Sequence, residues 1–156
     1  MRRRNDERHL ERNERSVIRL RQVITSIPER RWTQTIEGGW TSGVLLAHMA
    51  FWDRFVRERW EHAHRTHRIA PVAIDLGLAD LVNDASVPGW ALIPPRDAAR
   101  MALAAASETN ATIAALGDDA VDAVDAAGWD SLLDRSIHRD EHIAALERHV
   151  SRLEPG

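Results

Sequence analysis

The chain contains no cysteine and no lysine in 156 residues. Without cysteine there is no disulfide, no thiolate-held zinc and no thiol nucleophile from the chain itself. Without lysine, all 21 basic residues are arginine, and alanine and aspartate are abundant, a composition that fits a GC-rich bacterial genome. The net charge is only −3, which argues against a nucleic-acid partner, since such proteins present a net basic surface. No apolar run approaches 18 residues, which leaves no membrane partner. The start, Met1-Arg2-Arg3-Arg4-Asn5-Asp6-Glu7, is basic but leads into charged residues where a secretory signal would need an apolar segment. The expected location is the cytoplasm.

What is present suits one globular domain over residues 1–156, with 44% hydrophobic and 29% charged residues. The most informative stretch is Gly38-Gly39-Trp40-Thr41-Ser42-Gly43-Val44 and its continuation to Val56. Two glycines make a turn, Thr41 or Ser42 caps the first free N–H groups, and an apolar helix follows. At about 100° per residue, Val44, Leu45, Phe51, Trp52 and Phe55 form one stripe with His48 in its middle. A polar ring on a core-facing stripe needs a partner, because an unpaired buried polar group costs roughly 1–3 kcal/mol.

Apolar periodicity and punctuation predict four helices. The first spans 5–27, with Leu10, Val17, Leu20, Ile24 and Ile27 inward, and stops at Pro28. Its outer face alternates Glu and Arg, the pattern of a solvated surface. Residues 28–40 are a connection carrying two tryptophans. The second helix runs from about Thr41 to about His64, and the histidines 62, 64 and 67 at its end are expected to be exposed. Residues 67–94 form a long connection with one apolar island, Ile74 to Val82, which can form a short helix. A connection this long can let the second and third helices run parallel, or can cover a bundle end. The third helix starts after Pro94-Pro95 and runs to Leu116 before Gly117. Asp118 to Asp125 read as a turn and a short segment, since they lack the order of a calcium loop. The fourth helix opens near Asp130 or Ser131 and runs to about Leu153.

On that last helix His138 and His142 lie about 40° apart. This i,i+4 spacing lets two imidazoles share one ion. With His48 they make three inward rings on two helices, enough to hold a divalent metal with positions open for water or substrate. The other reading gives each ring its own backbone or acid partner. Asp134 and Glu141 flank the pair and are candidate catalytic groups, either orienting a ligand ring or serving as general base. Trp52 can wall the pocket or simply pack in the core.

The segments Gly39-Trp40-Thr41-Ser42-Gly43-Val44-Leu45-Leu46-Ala47-His48-Met49-Ala50 and His138-Arg139-Asp140-Glu141-His142-Ile143 resemble the DinB-like (YfiT-like) proteins. The helix lengths, the Ile27-Pro28 break and the long connection agree with that family. The resemblance implies an all-α four-helix bundle, up-down-down-up, with a metal, zinc or nickel, held by His48, His138 and His142. It implies a homodimer, and for some relatives the transfer of a low-molecular-weight thiol such as mycothiol or bacillithiol. Because the chain has no cysteine, the expected partners are a small-molecule thiol and an electrophile. The alternatives are a metal-dependent hydrolase and a non-catalytic, stress-related binding or dimerisation module.

Overall fold

The protein is described by a computed structural model covering residues 8–36 and 38–152. Residues 5–7 and Leu153, which sequence assigns to the first and last helices, lie outside the described residues. The described chain is helical, in six segments: α1 (Arg8–Ser26), α2 (Ser42–Arg65), α3 (Ala79–Trp90), α4 (Pro95–Ala114), α5 (Asp118–Ala127) and α6 (Ser136–Ser151). Single 3-10 turns occupy Glu29–Arg31, Leu76–Leu78 and Asp130–Leu132. No helix among these residues is long and apolar enough to cross a membrane.

The α2 start follows from its turn. Gly38 and Gly39 both take positive φ, 85° and 86°, which side-chain-bearing residues rarely adopt. The reversed chain is pinned by Ile36 N–H donating to Trp40 O at 2.7 Å. Thr41 is the cap, its hydroxyl accepting from Val44 N–H at 3.2 Å. One turn of α2 then sits against α4 so closely that a Cβ at Gly43 would lie 3.2 Å from Pro95. Small residues on the facing side, Ala98, Ala99, Ala102, Ala105 and Ala106, are buried there, and α2 with α4 makes the most extensive helix contact of the molecule. Helix α1 packs on α6 and α4.

Two segments differ from the sequence expectation. The apolar island extends into α3, which passes through Pro88 and ends at Trp90. Proline in the last turn forfeits only one backbone hydrogen bond, and Trp90 is buried against Trp40, Phe51 and His48. Asp118 to Asp125 form a true helix, α5, with Asp118 and Asp119 in its first turn, Val121 and Val124 buried, and Gly128 left-handed at its end. Early acids favour a helix through its dipole.

The fourth predicted helix begins later than expected. After the 3-10 turn at Asp130–Leu132, α6 opens at Ser136. Its first N–H groups are capped from another helix: Asn13 Oδ1 on α1 accepts from Arg135 N–H at 2.7 Å and Ser136 N–H at 3.2 Å. The Asn13 amide also donates to Leu133 O at 2.8 Å.

Candidate metal centre

His48 comes from the second turn of α2, and His138 and His142 from the first two turns of α6. Their Nε2 atoms form a triangle with all three sides at 3.1 Å. An Nε2 has one in-plane position, for a proton or a metal. Three such atoms pointing at each other cannot all be protonated, and at most one N–H can serve a neighbour well. Nitrogens sharing an ion at about 2.1 Å stand about 3.0 to 3.4 Å apart as the angle between them widens from a right angle to the tetrahedral one. The three rings are thus placed to hold a metal ion.

The electrostatics agree. His48 is buried, and desolvation, helped by His142, lowers its pKa to about 4. His138 is pushed down to about 2, first by burial and then by the charge of Arg135. His142 is also lowered by burial, against the opposing pull of Glu141. Neutral imidazole is the form that ligates. His48 Nδ1 is buried without a hydrogen-bond partner, although the Asn83 side chain beside it favours a proton on that ring.

An aromatic collar positions His48, with Trp40, Trp90 and Trp52 at centroid distances of 5.0, 5.6 and 6.4 Å. Trp52 is therefore a pocket wall as well as a packing residue, and its Nε1–H donates to Asn83 Oδ1 on α3 at 2.8 Å. The rings open onto a cavity of about 390 Å³, lined also by Phe55, Val56, Arg59, Ile74, Leu76 and Arg135.

The two carboxylates suggested by sequence stand elsewhere. Asp134 accepts from Arg12 Nε at 2.6 Å and from the Ser136 hydroxyl and N–H, and it lines a separate polar groove with Arg8, His9 and Arg12. Its carboxylate serves the start of α6, because the helix is interrupted between Leu132 and Ser136 and Asp134 lies on that turn, outside the histidine cavity. Glu141 is exposed and outside the cavity lining, and reaches the site only through its charge on His142. His62, His64 and His67 are exposed, as expected. His149 is buried at the far end of α6, its Nε2 3.1 Å from Arg31 O.

Sequence reasoning missed the charged cluster behind the histidines. Asp53, 1% exposed, receives Arg135 Nε at 2.9 Å and Arg139 Nε at 2.8 Å. Arg139 is 0% exposed and also donates to Ser16 Oγ, Asn110 Oδ1 and Ala106 O. The available signal was Asp53 itself, an acid inside the apolar stretch 44–56, which demands a buried cation.

Compared with known proteins, the chain matches no family model, no curated protein and no solved structure.

Proposed function

We propose that this chain is a DinB-like metal-dependent enzyme that transfers a low-molecular-weight thiol onto an electrophile. In this reading α1, α2, α4 and α6 are the four helices of an up-down-down-up bundle. The observation that carries it is the triangle of neutral Nε2 atoms facing an aromatic-walled cavity large enough for a small molecule. His48, His138 and His142 would hold the ion. When bound, a divalent metal supplies Lewis acidity, lowering the pKa of a thiol or water that joins it.

The chain's own residues do the rest. Trp40, Trp52 and Phe55 wall the reacting groups on one side and limit their contact with bulk solvent. The sulfur comes from a cosubstrate, since no cysteine is available. The thiol proton leaves to water at the cavity mouth. The S–C bond forms as the leaving group departs from the electrophile with its electron pair. A hydrolase remains the second reading because the same open side of the triangle admits water.

The test is conjugation of monobromobimane or chlorodinitrobenzene by mycothiol, bacillithiol and glutathione, comparing metal-loaded protein with His48→Ala. The expected result is a rate at least about tenfold above that of the variant for one thiol, with the largest enhancement at mildly acidic to neutral pH, where free thiol is scarcely ionised. Equal rates for all three thiols would end the transferase reading and move hydrolysis ahead of it.

A further inference from the structure

Behind and beside the three imidazoles lie three guanidinium groups, those of Arg59, Arg135 and Arg139. Among the described residues, Asp53 is the one carboxylate within ion-pair distance of any of them. Arg139 is fully engaged by its partners. The other two are not. Arg135 Nε and Nη1 bond Asp53 and Ser131 O, each at 2.9 Å, but Nη2 has only a long 3.4 Å contact with His138 Nδ1. Arg59 donates from Nη2 to Val72 O at 3.0 Å, while its Nε is buried with no partner. Both side chains line the histidine cavity.

The two guanidiniums feel each other. Burial lowers the proton affinity of Arg59, and the charge of Arg135 lowers it further, with no acid opposing. A guanidinium does not shed its proton to relieve this. The cavity therefore holds uncompensated positive charge in a half-buried, apolar setting, where electrostatic terms are strengthened. Neutral imidazoles add no compensation, and a divalent ion would enlarge the excess.

We propose that Arg59 and Arg135 form an oxyanion subsite in the histidine cavity, so that the small molecule entering it carries a carboxylate or comparable oxyanion beside its reacting end. Arg59 Nε and Arg135 Nη2 are its donors. An ionised acceptor would satisfy the orphan Nε and replace a long contact with a charge-assisted one. Ile74 and Leu76 cover the same wall and take the apolar part of the ligand. The inference rests on this cavity being the substrate site, and not on the metal being catalytic.

The test compares 3-mercaptopropionate with 3-mercaptopropionamide, which differ in one charge. Binding to the full chain is read from tryptophan fluorescence, because Trp40 and Trp52 line the cavity, with and without added nickel. The acid should bind at least about tenfold more tightly than the amide. In Arg59→Gln the preference should fall to within about threefold, and Arg59→Lys should retain part of it. Equal binding of acid and amide, or binding of neither with and without nickel, overturns the subsite. So does an acid preference undiminished in Arg59→Gln. An acid preference without any nickel-dependent thiolate absorption leaves the subsite standing and removes the metal reading. The absorption band with both thiols bound equally does the reverse.

Discussion

Asp53 shows how much can depend on one side chain. Among the described residues it is the only ionic partner of Arg139, which has no exposure at all, and it also holds Arg135. Asp53→Asn keeps the shape and removes the charge, leaving both guanidiniums uncompensated. Breaking a buried pair in this way costs about 3–5 kcal/mol. The urea midpoint should drop accordingly with an unchanged slope, and a loss under about 1 kcal/mol would show that the cluster is compensated elsewhere. The same scale explains what sequence could reveal. His48, His138 and His142 were legible because inward positions on a helix follow from periodicity alone, and a ring there needs a partner. Arg139 was not, since arginine is read as surface unless its partner is known, and Asp53 lies 86 residues away.

Helices were legible where their ends are written locally. Pro28, Thr41 and Pro94-Pro95 mark boundaries that the structure reproduces to within a residue or two. The start of α6 is set partly by Asp134 next to it, whose carboxylate accepts from Ser136 N–H, and partly by Asn13 on α1, a remote partner that the sequence near Asp130 does not announce. Helices α3 and α5 were underestimated for a related reason: Pro88 and the run of aspartates are weak formers, overridden by burial of Trp90, Val121 and Val124. The remote cap has a functional consequence, because His138 lies in the first turn of the helix it starts. Asn13→Ala should cost about 1–2 kcal/mol in chemical denaturation, within the range of cap losses. It should also weaken metal binding several-fold in a competitive-chelator titration, as His138 loses its fixed position. Unchanged stability and metal affinity together would show that packing and the local Asp134 cap set the start of α6 without Asn13.

Across the whole molecule, the histidine cluster joins α2 to a helix that begins some 90 residues further along the chain. An ion held there acts as a link made only in the folded state. Free metal at 100 times its dissociation constant adds about 2.7 kcal/mol, a rise in Tm of roughly 5–10 °C for a chain of this length. His48→Ala should abolish the rise. The pH dependence separates two effects. His48 has a pKa of 6.5 when exposed and about 4 when folded, so between those values the unfolded chain binds more protons. The stability contributed by burying this ring neutral is fully present above pH 6.5 and is lost as pH falls to about 4. Metal affinity of the folded protein behaves differently. His48 and His138 stay neutral well below their ordinary pKa, and burial lowers His142 as well, so protons compete less with the ion than they would at exposed histidines. From pH 7 to pH 5 the dissociation constant should rise far less than it would for three ordinary imidazoles, which would lose more than about a thousandfold. Isothermal titration at the two pH values decides between them, and the larger loss would mean that the rings titrate as exposed histidines do.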